Sequence, residues 1–169
     1  MGDRRRAVAE YRKAIDLDPR FIEARHRLGV ELYLAGNATE ALKELRRASL
    51  VTAEYRKMYE IRYAEGPALL RLSRDMEAMG KFERTVQGRP AFAPAHYELG
   101  KMLLQREKYD AAIDHFVKAI GSDPRAEYAR GLQVAMTRKA KGQADGPGQV
   151  RPSGDTPGGA AKQVPALPV

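Results

Sequence analysis

The sequence predicts an all-α chain, a solenoid of stacked antiparallel helix pairs, and three observations predict it. A template of about 34 residues recurs, small residues fall at fixed places on apolar stripes of helical spacing, and Gly-Asn or Asp-Pro pairs punctuate those stripes. Ala7, Tyr11, Ala14 and Pro19 are followed one period later by Ala41, Leu45, Ala48 and Ala53. The pattern returns as Ala112, Phe116, Ala119 and Pro124, displaced from the second copy by two periods and three extra positions. Leu28-Gly29 and Leu99-Gly100 stand at one common distance upstream of the Ala that opens each of these copies, Ala41 or Ala112.

Taken in order, residues 1–19 read as a half-repeat, a second helix around Ala7, Val8, Tyr11 and Ile15 with no first helix before it. Either the chain starts inside a longer array, which is the stronger reading because arrays lose units piecemeal, or another molecule docks on that open face. Residues 20–53 form a full repeat: Gly29, Ala41 and Ala48 sit where two helices cross, Leu28, Leu32 and Leu45 fill the space beside them, and Gly36-Asn37 stops one helix and starts the next. In 54–92 the template frays. A Leu-Gly pair is expected near Arg62-Tyr63 and is absent, Tyr55, Tyr59 and Tyr63 form an i, i+4, i+8 stripe, and Gly66-Pro67 reads as a helix break. The expectation is two helices, 53–65 and 67–79, then an irregular connection; a register pairing 67–79 with a short helix at 81–88 also fits. Residues 93–126 repeat the template with Leu99, Gly100, Leu103, Ala112, Phe116 and Ala119, but Glu107-Lys108 replaces the Gly turn, which must therefore be made less comfortably. Residues 127–141 read as a capping helix with Tyr128, Leu132, Ala135 and Met136 inward. Residues 142–169, holding 6 of the 15 Gly and 5 of the 10 Pro, read as a disordered tether in which Pro165-Ala166-Leu167-Pro168 is too short a pattern to weigh.

The runs Leu28-Gly29, Ala41, Leu45, Ala48 and Leu99-Gly100, Tyr109, Ala112, Phe116, Ala119, Pro124, with the half-copy Ala7, Tyr11, Ala14, Pro19, resemble the tetratricopeptide repeat family. The family's Trp position holds Arg25 in one copy and His96 in the other. The resemblance implies a right-handed α-solenoid whose first helices line a concave groove where a peptide or partner helix lies. Mapped here, that lining is Glu23, His26, Arg27, Val30 and Tyr33, then Tyr55, Tyr59, Arg62 and Tyr63, then Tyr97, Lys101, Leu104 and Gln105. Tyr and Arg dominate many interfaces, so these are the expected anchors. The Tyr stripe equally fits the inter-helix core of a divergent repeat, and both readings stand at this point. The Lys and Asn with which some co-chaperones of the family clamp a terminal carboxylate are replaced here by His26, Val30, Tyr97 and Lys101, so that clamp is missing. Arg27, Arg62 and Lys101 suggest an acidic segment as the partner.

Composition narrows the chemistry. With no Cys there is no disulfide, no Cys-ligated metal and no thiol nucleophile. His26, His96 and His115 form no HExxH, and the repeat register sets His26 and His96 on different units, so neither metal nor cofactor is expected; His115 reads as a surface or groove-edge imidazole. Phosphate-loop and nucleophile-elbow patterns are absent, and Asp110, Asp114 and Lys118 read as a salt-bridged face. The charge of +8 arises from 30 basic and 22 acidic residues interleaved along the solenoid. Binding of nucleic acid through Arg4 to Arg6, Arg46-Arg47 and Arg56-Lys57 is the lesser alternative. No run of apolar residues is long enough to insert in a membrane, and a cytoplasmic location is expected. The expected function is a non-enzymatic scaffold, adaptor or assembly factor, or a structural subunit docked through its N-terminal helix.

Overall fold

The computed structural model describes residues 2–51 and 55–144, and among them the chain forms eight helices and no strand. They are α1 (Gly2–Leu17), α2 (Ile22–Leu34), α3 (Ala38–Val51), α4 (Met58–Arg71), α5 (Asp75–Gly88), α6 (Ala93–Gln105), α7 (Tyr109–Ser122) and α8 (Ala126–Ala144). Each packs on the next, and α2 also touches α4, and α6 touches α8, so the pairs α2–α3, α4–α5 and α6–α7 stack in series between α1 and α8. Of the successive first helices, α4 and α6 approach each other least.

The pairs close where a helix has no side chain to hold its neighbour away. A Cβ on Gly29 would lie 2.6 Å from Leu45 Cγ, and one on Gly100 would lie 2.8 Å from Phe116 Cε1. The middle pair has the same crossing at Gly66, where a Cβ would fall 2.3 Å from Phe82 Cε1. Gly66 therefore corresponds to Gly29 and Gly100, and Phe82 to Leu45 and Phe116. The three extra positions lie before α4, between the first and second pairs of the array, which is why a search at the strict period met Arg62-Tyr63.

This overturns the expected break at Gly66-Pro67. Both residues lie inside α4, which runs unbroken to Arg71, and α5 covers 75–88, so neither the 53–65 and 67–79 pair nor the 67–79 and 81–88 pair is found. Proline is tolerated because only one helical hydrogen bond is forgone and the glycine face beside it is clamped on Phe82. The inter-helix turns obey the corrected register. Gly36, Ser73 and Glu107, at equivalent places after α2, α4 and α6, have φ of 91°, 56° and 59°. The strain foreseen at Glu107 is present, and Ser73 shares it. Asn37 caps α3: its Oδ1 accepts from the Glu40 N–H at 3.1 Å while its Nδ2 donates to Glu40 Oε2 at 2.9 Å.

In α8, Tyr128 and Ala135 are buried and Leu132 packs beside Ala135, but Met136 is exposed, against expectation, because it falls outside the stripe that meets α7. Helix α8 continues to Ala144, past the expected start of the tail; residues 145–169 lie outside the described residues.

Polar ties join the helices of each pair, at equivalent positions in the first and third. Arg25 donates to the Pro19 carbonyl from Nε at 3.0 Å and from a terminal nitrogen at 2.8 Å, and its other terminal nitrogen meets Glu44 Oε2 at 2.8 Å. In the third pair His96 Nε2 lies 2.9 Å from the Pro90 carbonyl and its Nδ1 lies 2.9 Å from His115 Nδ1. A carbonyl can only accept, so neutral His96 carries its proton on Nε2 and takes a hydrogen bond from His115 Nδ1–H. His115 is thus a half-buried ring at the edge of an open depression with Pro90 and Lys118, as expected of a surface imidazole, but one with a specific partner in His96. In the middle pair Lys81 forms an ion pair with Glu65, which is fully buried.

Candidate partner-binding groove

A trough of about 780 Å³ runs along the open face of α4, with α2 as one wall and α6 as the other. Its floor is one stripe of α4, Glu60, Tyr63, Ala64, Pro67, Leu70 and Arg71, at the i, i+3, i+4, i+7 spacing of a single helical face. His26, Val30, Tyr33 and Leu34 come from α2, Glu98 and Lys101 from α6, and Phe92 from the turn before α6. Phe92 plugs the gap between α4 and α6, with its ring 5.0 Å from Tyr63 and 5.4 Å from Tyr59, both edge-on.

Five of the expected groove residues line this trough: His26, Val30, Tyr33, Tyr63 and Lys101. Six do not. Arg27 is exposed and paired with Glu23 at 2.8 Å, one helical turn away. Tyr55 packs beside Met58 and Ile61 and donates its hydroxyl to Glu23 Oε2 at 2.6 Å. Tyr59 lies under Arg89 and against Phe92, while Arg62 points to the C-terminal end of α5 beside Gly88. Tyr97 stacks on Tyr128 at 4.7 Å, and Leu104 packs in the α6–α7–α8 core. The Tyr stripe is thus divided, with Tyr55 and Tyr59 spent on packing and Tyr63 facing the trough. Pro67, Leu70 and Arg71 were hidden by the misplaced helix break; the Gly66 to Phe82 equivalence is the signal that recovers them.

The charges of the trough are arranged unevenly. Lys101 is held by Glu98 at 2.9 Å, so that pair cancels. Arg71 has no carboxylate within ion-pair distance among the described residues; it lies 4.4 Å over the Tyr33 ring and donates to the Tyr33 carbonyl at 2.9 Å. Glu60 has no cationic partner among the described residues and takes only a 3.2 Å hydrogen bond from the Tyr59 hydroxyl. Of the surface Arg clusters, Arg4 meets Glu31, Arg46 meets Glu77 and Arg47 meets Glu44, while Arg5, Arg6, Arg56 and Lys57 form no ion pair among the described residues.

Burial shapes the titration of the lining. It pushes the Tyr63 hydroxyl up to about 12, so Tyr63 stays neutral at any physiological pH. The same effect lowers His26 below the usual imidazole range, outweighing the pull of Glu23 and Glu60 toward the charged form. His26 is 6% exposed and its Nδ1 is buried without a hydrogen-bond partner. Pro67 has no N–H to offer the Tyr63 carbonyl one turn earlier, so that oxygen lacks its α-helical donor. The arrangement is an apolar, aromatic floor with few polar groups and, at each end, one charge without an ion-pair partner among the described residues. No cluster of three metal-ligating side chains occurs among the described residues.

The sequence model of the family described as Tetratricopeptide repeat matches residues 1–54 and 63–127, and its interruption falls around the connection from α3 to α4. Similar solved structures include "MamA 41-end from Desulfovibrio magneticus RS-1", 22% identical over 85% of this chain and 80% of that one, with a TM-score of 0.72. "Crystal structure of YrrB: a TPR protein with an unusual peptide-binding site" is 23% identical over 82% of this chain and 71% of that one, with a TM-score of 0.65. "Functional Characterization of Pseudomonas Aeruginosa pilF" is 19% identical over 83% of this chain and 68% of that one, with a TM-score of 0.67. At these identities the likeness concerns the fold. No curated protein matches the sequence significantly.

Proposed function

Since the chain belongs to the tetratricopeptide repeat family, whose members generally mediate protein–protein interaction or complex assembly, we propose that it is a non-enzymatic adaptor or assembly scaffold that holds a segment of a partner protein in the trough along α4. The observation that carries this reading is the trough floor itself, a continuous, half-buried apolar stripe of Tyr63, Ala64, Pro67 and Leu70 between two walls, with the exposed Leu34 at its edge. One structural neighbour is described as a TPR protein with an unusual peptide-binding site, an analogy in the same direction.

The partner's affinity would come from apolar side chains seated on Tyr63 and Leu70, with the end charges setting orientation. An acidic partner has narrower support than the sequence suggested, because Arg27 and Lys101 are already neutralised and Arg71 is the guanidinium left to attract a carboxylate. The test is affinity purification with the tagged chain beside a Val30→Glu variant. Val30 lines the trough and belongs to none of the core clusters, so the variant should fold, as circular dichroism would verify. Partners should be lost from the variant; retention of the same partners would sink the reading.

A second docking face has one specific observation behind it. A trough of about 650 Å³ lies between α1 and the end of α2, lined by Arg5, Val8, Ala9 and Leu34, with Leu34 about half exposed. A partner seated there would depend on α1, and Ala9→Arg should release it without affecting what binds along α4.

A further inference from the structure

We propose that the occupant of the α4 trough is an amphipathic helix of a partner protein, lying antiparallel to α4, with an acidic first turn against Arg71 and a basic last turn against Glu60. This rests on the groove reading above and adds to it the conformation, direction and charge order of the ligand.

Conformation follows from the hydrogen-bonding groups on offer. An extended segment brings backbone N–H and C=O groups that its own chain does not pair into contact with the trough, and burying such groups without partners is costly. The lining offers few: His26 Nδ1 is unpartnered, and the Tyr63 carbonyl lacks its helical donor, while Glu98 and Lys101 are tied to each other. An α-helix satisfies its own backbone and presents only side chains, so it suits an apolar floor walled by two helices. Residues of α2 and α6 line the trough on either side of α4, so a further helix laid along α4 would meet helical walls on both flanks.

Direction follows from the ends. Glu60 and Arg71 lie on one face of α4, about 16 Å apart along its axis, the length of roughly three helical turns. Neither has a countercharge among the described residues, whereas the other charged residues of the lining, Glu98 and Lys101, neutralise each other. A helix is stabilised by acidic residues in its first turn and basic residues in its last, because these oppose its dipole. Laid antiparallel to α4, a helix that obeys this preference places its acidic turn at Arg71 and its basic turn at Glu60. Laid parallel, the same helix puts like charges together at both ends. The two orientations therefore differ at both ends at once, and by roughly tenfold in affinity if each partly exposed pair contributes about 0.7 kcal/mol.

The experiment is a display selection. A library of ~14-residue helical segments carries fixed apolar residues at i, i+3, i+4 and i+7, with first-turn and last-turn positions randomised among Glu, Ala and Lys. It is panned against the full chain, the Val30→Glu variant and the doubly swapped Glu60→Lys, Arg71→Glu chain. The proposal expects enrichment of Glu in the first turn and Lys in the last on the full chain, reversal of that order on the swapped chain, and roughly tenfold weaker binding of a synthetic charge-reversed peptide. Clones that bind the full chain but not the Val30→Glu variant, yet show no end-charge order, would overturn the polarity while leaving the groove reading intact. Clones that bind the Val30→Glu variant equally well place the site elsewhere and overturn both, as does the absence of any enrichment.

Discussion

In the first pair Arg25 joins the Pro19 carbonyl to Glu44, and in the third His96 joins the Pro90 carbonyl to His115. The corresponding positions of the middle pair, displaced by the three extra positions, hold Arg62 and Lys81, two cations that cannot be joined in this way. Lys81 turns instead to Glu65, which occupies the place filled by Leu28 and Leu99 in the outer pairs. The middle pair has exchanged an apolar contact and a surface-side tie for an ion pair whose carboxylate is fully buried, with neither oxygen accepting a conventional hydrogen bond. One template thus tolerates three chemistries at a single tie, provided that the charges around it balance.

The strongest way to break this comparison is to remove one half of the middle pair. Lys81→Met strands the Glu65 carboxylate and should cost roughly 3–5 kcal/mol, whereas Glu65→Leu with Lys81→Met restores the outer pattern and should be neutral or stabilising. Urea unfolding followed by circular dichroism distinguishes the two; a single variant as stable as the parent would show that Glu65 has little need of Lys81.

The crossings come next. Gly66→Ala meets a rigid Phe82 ring at 2.3 Å and should cost about 3 kcal/mol, more than Gly29→Ala, whose neighbour is the flexible Leu45. Thermal melts of the two variants side by side would check the order. At the turns, Glu107→Gly should stabilise by about 1 kcal/mol by relieving a left-handed conformation, and Gly36→Ala should destabilise by a similar amount. Equal and negligible effects at both would mean that the backbone relaxes.

The smallest effect concerns pH. Burial, reinforced by His96, lowers the His115 pKa below the ordinary imidazole value of 6.5, so the unfolded chain takes up the proton first as pH falls. His26 is lowered too, chiefly by burial. Their contribution to stability is therefore complete above pH 6.5 and declines as pH falls from there toward the folded-state pKa. Melting temperatures measured from pH 7.5 to 5 should fall, and the fall should be shallower in His115→Gln; an unchanged slope would remove His115 from the account.

How much of this was legible before the structure depended on whether two separated signals agreed. Around Gly29 and Gly100 the small crossing residue, the large residue opposite and the turn all stood at template spacing, and the helices lie where those signals place them. In the middle pair the Leu of Leu-Gly is Glu65 and the three extra positions shift the frame, so Gly66 was read with Pro67 as a stop. A helix break is a local inference, and the clamp of Phe82 on Gly66 that overrides it is a tertiary one. The site suffered from the same slip. His26, Val30, Tyr33, Tyr63 and Lys101 were found from the first-helix register, while Pro67, Leu70 and Arg71 could be assigned only once α4 was known to continue. The contact of His96 with His115 had a signal in the sequence, since Arg25 and Glu44 hold the same two places in the earlier copy of the template.

Because α4 and α6 approach each other loosely, Phe92 and the α5–α6 contact carry much of the seam between the second and third pairs. In a stack of nearest-neighbour couplings each seam is a separate contribution to stability, so this one leans on a single aromatic side chain from a turn. The same ring walls the trough, so a ligand seated beside Phe92 would touch the seam of the array as well as its groove.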